Sequence, residues 1–230
     1  MTRLTGQERA IYVQNMFTRI ARRYDLMNRL MTGGQDIRWR KQVIQLARLK
    51  PQACLLDLGT GTGDLAREAA AQFPRAQVIA ADFTFEMMRV GRKNSTLNFS
   101  SADALQLPFQ ESTFDAVVSG FLMRNVIDLQ KVLQEQYRVL KQGGRIVILD
   151  TTRPKKNLLS PFIWLHMHVV IPLLGRVLTG SSDAYRYLPE TTEGFVTAEN
   201  MASRMAAAEF RKVGYERLMF GTIAIHWGEK

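Results

Sequence analysis

From Val13 onward the apolar positions Val13, Met16, Phe17, Ile20, Tyr24 and Met27 recur at helical spacing. Arg19, Arg22, Arg23 and Arg29 fall mostly elsewhere on the wheel, which predicts a basic amphipathic helix over 13–31. Ala53 to Leu58 is a short apolar run broken only by Asp57; it runs into Gly59-Thr60-Gly61-Thr62-Gly63, and Asp64 to Gln72 then reads as a helix opening on an acidic residue. The unit is strand, glycine turn, helix. Further strands are predicted at Gln77–Ala81, Leu97–Phe99, Phe114–Ser119 and Arg145–Leu149, and helices at Phe85–Gly91 and Leu129–Leu140, the latter stopped by Lys141-Gln142-Gly143-Gly144. Regular alternation of strand and helix predicts a parallel sheet with helices on both faces, because parallel neighbours need crossover connections.

Two stretches break the alternation. Leu158 to Leu174 is rich in Leu, Ile, Val, Phe and Trp but carries Pro161, Pro172, His166 and His168, and reads as an apolar insertion. Near the other end, Ala198 to Lys212 reads as a helix closed by Gly214, and Arg217 to Trp227 alternates around Gly221-Thr222 as an antiparallel hairpin. The sheet should therefore be mixed.

Composition narrows the class. At 230 residues, 46% hydrophobic and 23% charged, the chain suits one globular domain over 1–230 and excludes disorder, collagen and coiled coil. The lone Cys54 excludes an internal disulfide and a multi-cysteine metal site, and no metal ligand set is expected. The opening residues lack the apolar core of a signal peptide and no run reaches the ~20 apolar residues of a membrane span, so a cytoplasmic protein is expected. A net charge of +10 favours anions such as an anionic membrane surface or nucleic acid, without choosing between them.

Against that charge, carboxylates gather around the glycine turn. Asp57 precedes it, Asp64 follows it, and Asp82 and Asp103 end the next two strands, so four are expected to converge on one crevice. In an open parallel sheet a ligand lies beyond the carboxyl ends of the strands. The dinucleotide fingerprint Gly-x-Gly-x-x-Gly fails, because Asp64 takes the sixth position and the third glycine comes early at Gly63. A pyrophosphate would be repelled; S-adenosylmethionine, with its sulfonium and ammonium, would be attracted. Asp82 is placed for both ribose hydroxyls, Asp103 for the adenine amino group, Gly59, Gly61 and Gly63 for close backbone approach, and Asp57 for the ammonium. Any one of these aspartates alone reads equally well as a helix cap or a solvated loop residue.

The segment Asp57-Leu-Gly-Thr-Gly-Thr-Gly-Asp64 is similar to the first motif of class I methyltransferases. Tyr24-Asp-Leu-Met-Asn28 with Trp39, Asp103-Ala-Leu-Gln-Leu-Pro-Phe109, Met123-Arg-Asn125, Tyr137-Arg-Val-Leu-Lys-Gln-Gly-Gly144, Tyr185-Arg-Tyr-Leu-Pro-Glu190 and Ile223-Ala-Ile-His-Trp-Gly-Glu-Lys230 resemble the ubiquinone/menaquinone C-methyltransferases. The resemblance covers nearly the whole chain. It departs at Gln142, where proline is usual, at Leu122-Met123, where Gly-Leu is usual, and at Asp150-Thr-Thr, where Glu-Phe-Ser is usual; the last two lie at strand ends expected to face the acceptor.

The resemblance implies an α/β, Rossmann-like class I methyltransferase fold: a mainly parallel, mixed seven-stranded sheet with helices on both faces and a C-terminal antiparallel hairpin. It implies an S-adenosylmethionine-dependent C-methyltransferase of a polyprenyl quinol ring, demethylmenaquinol first and the ubiquinone-pathway benzoquinol beside it. Another lipophilic acceptor, a sterol or phenol, stays open, with RNA more remote because no stacking platform is visible. Cofactor contacts carry onto Thr62, Asp82, Asp103, Ala104 and Gly120. Arg124 is expected to stabilise a developing phenolate, with Asn125, His166, Tyr185 and Tyr187 orienting the ring. A helical cap over 1–45 and the insertion over 153–195 are expected to cover the isoprenoid tail. Arg19, Arg22, Arg23, Arg38, Arg40 and Lys41 would then rest on anionic headgroups at the inner face of the membrane, with packing on the sheet as the plainer alternative. A monomer and a homodimer are both open.

Overall fold

The computed structural model describes residues 6–93, 95–154, 160–179 and 183–230. Seven strands, β1 (Cys54–Leu58), β2 (Gln77–Asp82), β3 (Asn98–Ser101), β4 (Phe114–Gly120), β5 (Leu140–Thr151), β6 (Arg211–Leu218) and β7 (Ile223–Glu229), form one sheet in the order β3-β2-β1-β4-β5-β7-β6. The first five are parallel, and β7 runs antiparallel to both β5 and β6. The order reverses between β1 and β4, which opens a crevice above their carboxyl ends.

The central strands are apolar on both faces because each face is covered. Leu56, Val117, Ile146 and Ile148 pack with α6 (Leu129–Val139) and α10 (Ala198–Ala207), while Leu55, Val118, Val147 and Leu149 pack with α3 (Gln35–Leu46) and α4 (Asp64–Gln72). The Asp128 carboxylate accepts from the Lys131 amide at 3.0 Å and caps α6. The helix α5 (Phe85–Arg92) crosses between β2 and β3.

Local boundaries differ from the pattern where tertiary contacts override it. The amphipathic stretch is not one helix. It divides into α1 (Gly6–Ile20), a 3₁₀ turn at Ala21–Arg23 and α2 (Tyr24–Met31), so that Met16, Ile20 and Met27 converge on one cluster with Ile171, which a straight rod could not do. Helix α10 stops at Ala207 rather than Lys212, and the backbone turns at Glu209, φ 69°, to bury Phe210 against Tyr137. Gly214 closes no helix; it lies in β6, where a Cβ would come within 2.7 Å of the Trp227 indole. The hairpin accordingly begins six residues earlier than Arg217, at Arg211. Lys141–Gly144 is an irregularity within β5, whose Leu140 already pairs with Phe114.

The apolar insertion forms α7 (Ser160–Leu165), a π-helical segment over His166–Val170, α8 (Ile171–Thr179) and α9 (Asp183–Gly194). Pro172 has no amide to give the carbonyl four residues back, and the turn before it widens so that the Ile171 amide reaches the His166 carbonyl. Within 153–195, residues 155–159 and 180–182 lie outside the described residues, as does the side chain of Tyr185.

Candidate functional site

The glycine turn is held from below by buried hydrogen bonds. The Gly59 and Thr60 amides both donate to the Ala81 carbonyl, at 2.8 and 3.0 Å, and fold the turn over the end of β2. Asp57 is fully buried; one carboxylate oxygen accepts from the Thr60 hydroxyl at 2.5 Å and the Ala66 amide at 3.0 Å, tying the turn to α4. Its other oxygen, Oδ1, has no partner among the described residues. Burial pushes this carboxyl up to about 7, with the Thr60 and Ala66 hydrogen bonds opposing. Asp82 accepts from the Gly61 amide at 2.7 Å and the Thr84 amide at 2.7 Å, and burial raises its carboxyl against those bonds.

Above the turn lies a cavity of about 360 Å³ lined by Gly59, Gly61, Asp82, Asp103, Ala104 and Gly120. Bare backbone forms part of its wall: a Cβ on Gly59 would stand 2.8 Å from Leu122 and one on Gly61 3.1 Å from Met87. Asp103 stands exposed at the rim, accepting from the Leu105 amide at 2.9 Å. The lining, with the half-buried Asp82 and the exposed Asp103 carboxylates, fits a cationic nucleoside. Helix α1 roofs the cavity with Gln7, Ala10, Val13, Gln14 and Phe17, and two side chains fix it: Gln14 donates to the Phe83 carbonyl at 3.3 Å and Arg9 to the Arg124 carbonyl at 2.8 Å.

Three expected cofactor residues do not line this cavity. Asp57 supports it from beneath, Thr62 donates to Asp25 of α2 at 2.6 Å, and Gly63 faces Phe99 and Leu97. The expected convergence of four carboxylates also loses a member. Asp64 turns toward the N-terminal helices and pairs with Arg29, Arg40 and Arg67; burial alone would raise its carboxyl, but those guanidiniums outweigh burial and hold it below the usual range. Arg29 and Arg40 also bracket the buried Asp36. Arg40, only 7% exposed, is thus part of an internal ion cluster and not a headgroup contact.

A second cavity of about 380 Å³ adjoins the first. Phe17, Tyr24, Phe121 and Asn125 line both, so they form the shared wall. Phe121 sits just past β4 at φ 60°, a left-handed conformation that a bulky residue adopts at a cost of order 1–3 kcal/mol. The second cavity is apolar, walled by Met27, Ile171, Phe162 and Phe220 among others, and Arg124 enters it. Arg124 is 8% exposed; its Nη1 donates to Asp150 Oδ1 at 2.6 Å, and its amide donates to Asp150 Oδ2 at 3.2 Å. A guanidinium has five donors, and Asp150 engages one of them. Asn125 donates to the Phe121 carbonyl at 3.0 Å and leaves a buried Oδ1 unpartnered. His166 lies 3.2 Å from the Met31 carbonyl, joining the π segment to α2, and lines the same cavity with Tyr187.

Tyr24 and Asp150 are central to this geometry, yet hydrophobic spacing places Tyr24 merely on an apolar helix face and Asp150 at a strand end. Burial pushes the Tyr24 phenol above its ordinary value, with the Arg124 charge opposing, so it is a hydroxyl donor at neutral pH. The signal that could have found it is its place in Tyr24-Asp-Leu-Met-Asn28. Residues Arg124, Asn125 and His166 are brought together; the Tyr185 side chain is outside the described residues.

The chain is similar over most of its length to curated proteins. The ubiquinone/menaquinone biosynthesis C-methyltransferase of Desulfotalea psychrophila is 47% identical over 95% of this chain and 90% of its own. The demethylmenaquinone methyltransferase of Thermus thermophilus is 44% identical over 94% of this chain and all of its own. In fold, the chain resembles a methyltransferase of Thermotoga maritima described as a possible histamine N-methyltransferase, with TM-score 0.65, 18% identity and coverage of 94% and 98%. The model of the ubiE/COQ5 methyltransferase family matches residues 2–230, and the chain belongs to that family.

Proposed function

We infer that this S-adenosylmethionine-dependent methyltransferase places a methyl group on a ring carbon of a polyprenyl quinol, demethylmenaquinol first among the candidates. The observation that carries the reading is the pair of adjoining cavities: one carboxylate-bearing, the other apolar and holding a single buried guanidinium, with one shared wall. The names of the relatives support the acceptor class.

S-adenosylmethionine, when bound, supplies a methyl on a sulfonium that is already a good leaving group. The chain's task is then to position the acceptor and favour its electron-rich form. Asp82 and Asp103 hold the nucleoside, and the glycine turn with Asp57 beneath it holds the methionine end. Phe17, Tyr24, Phe121 and Asn125 frame the passage between the two cavities. Arg124, oriented by Asp150, stabilises negative charge on the ring oxygen next to the reacting carbon; a guanidinium stays protonated and is no base, so water takes the proton. The Tyr24 phenol donates a hydrogen bond there, and Asn125 and His166 orient the ring.

Phe162 and Phe220 line the apolar cavity and are each 69% exposed, so they stand at its mouth. Exposed Trp164, Leu165 and Leu173 continue that apolar surface along α7 and α8. A bilayer suits such a face better than RNA does, and the tail enters through this mouth. No helix among the described residues is long and apolar enough to cross a membrane. In this reading the exposed apolar face works against the bilayer surface, on its cytoplasmic side. Both cavities are lined from one chain, so a homodimer would not be needed to complete them.

The test is transfer of labelled methyl from S-adenosylmethionine to chemically reduced, short-tailed demethylmenaquinone. Label should appear on a ring carbon, and none on the oxidised quinone. Arg124→Lys should lower kcat at least about 10²-fold with cofactor affinity changed less than about threefold. Bound cofactor without transfer to the quinol would overturn the reading.

A further inference from the structure

The apolar cavity contains more polar groups than the reaction so far employs. Thr151 at the end of β5 and Thr192 in α9 line it and are 7% and 1% exposed. Tyr187, one and a half turns before Thr192 on α9, lines it too. The Thr151 and Thr192 hydroxyls and the Tyr187 phenol are buried without a hydrogen-bond partner among the described residues. A buried polar group left so costs about 1–3 kcal/mol. With Asn28 Nδ2 and Asn125 Oδ1 they make five such groups on residues lining one cavity, which points to a ligand that satisfies them.

Asn125 lines both cavities, whereas Thr151, Tyr187 and Thr192 line the apolar one alone. Arg124 and Asn125 follow β4; Thr151 ends β5, the adjacent strand, and adjacent strands lie about 4.8 Å apart. Just past β5, Arg153 donates to the Glu193 carbonyl of α9 at 2.9 Å, which ties the end of α9 that carries Thr192 to the end of β5 that carries Thr151.

A ring with two para hydroxyls presents two polar ends to an otherwise apolar site. The carbon that receives the methyl is ortho to one oxygen, and that oxygen belongs beside Arg124. The other points away from the methyl donor and leaves water along with the ring. We propose that Thr151, Thr192 and Tyr187 form a second polar pole that binds this far hydroxyl. The pole selects a 1,4-dihydroxy ring over a monohydroxy one and fixes which ring carbon faces the cofactor cavity. The proposal rests on the quinol reading above and adds the residues that set its specificity.

The test compares kcat/KM for a short-tailed prenyl 1,4-dihydroxynaphthalene and the matching 1-naphthol that lacks the far hydroxyl. Electronic differences between the two acceptors are common to every variant and cancel when their ratio is compared across variants. The unaltered protein should favour the dihydroxy ring at least about tenfold more strongly than Thr151→Val/Thr192→Val, and Tyr187→Phe should shift the ratio the same way. Cofactor affinity, measured by calorimetry, should stay constant and so verify the fold of each variant. An unchanged ratio in both variants with intact cofactor binding overturns the second pole alone. No transfer to either acceptor by the unaltered protein overturns the quinol reading beneath it.

Discussion

With its carboxyl held near 7 by burial, Asp57 is mostly neutral at pH 6 and mostly ionised at pH 8. A ligand cation above the glycine turn favours the ionised form, so S-adenosylmethionine affinity should tighten up to about tenfold between pH 6 and 7.5. Calorimetry on Asp57→Asn should show that slope lost; the same slope in the variant would assign it to another group. The linked stability has a definite sign. The folded protein keeps a proton that the unfolded chain has released, so this contribution is largest below about pH 4 and is lost as pH rises through about 7. The aspartates also show how far single residues were legible. Asp82 ends β2 and Asp103 lies two residues past the end of β3, and positions at the carboxyl ends of parallel strands face the crevice whatever the rest of the chain does. Asp64 obeys the same local logic, yet its surroundings are decided by Arg29 and Arg40, residues distant in sequence. Thr192 carries no local signal, because its burial depends on how α9 docks.

Element types were legible and element ends were not, for a physical reason that Gly214 illustrates. A glycine after an apolar-periodic run reads as a helix stop, but here the strand β6 passes directly under the Trp227 ring. Gly214→Ala should therefore destabilise the protein by about 1–3 kcal/mol in urea unfolding, through overpacking. A glycine serving only to end a helix outside the left-handed region would tolerate alanine at little cost, and a neutral result would remove the close-packing explanation. The divided N-terminal helix has a similar origin. Periodicity reports that Met16, Ile20 and Met27 are buried, but not that they meet around Ile171 of a distant segment. The parallel strands were read more closely, because both faces are covered and their apolar runs stop where the sheet does.

At the scale of the whole molecule the +10 charge is distributed unevenly. Arg29, Arg40 and Arg67 are consumed in pairing with Asp36 and Asp64, which fastens the N-terminal helices to α4. Arg19, Arg22, Arg38 and Lys41 remain exposed. Exposed apolar side chains meanwhile include Phe162 and Phe220 at the mouth of the apolar cavity. Sedimentation with phosphatidylglycerol vesicles should show binding at low salt that weakens at high salt, and Phe162→Ser/Phe220→Ser should weaken it several-fold further. Equal binding by that variant would place the contact elsewhere. Charge composition alone could not distinguish these arginines, since whether one is internal or external is settled only by the assembled fold.

The account depends most on the two cavities opening onto each other through the wall of Phe17, Tyr24, Phe121 and Asn125. A single ligand in which a dihydroxynaphthalene ring carbon is joined through one methylene to the sulfur of S-adenosylhomocysteine would occupy both at once. Joining the two parts makes the second contact intramolecular, so its Kd should fall at least about 10²-fold below that of S-adenosylhomocysteine alone. Affinity no better than that of S-adenosylhomocysteine would mean that the cavities do not form one reaction chamber.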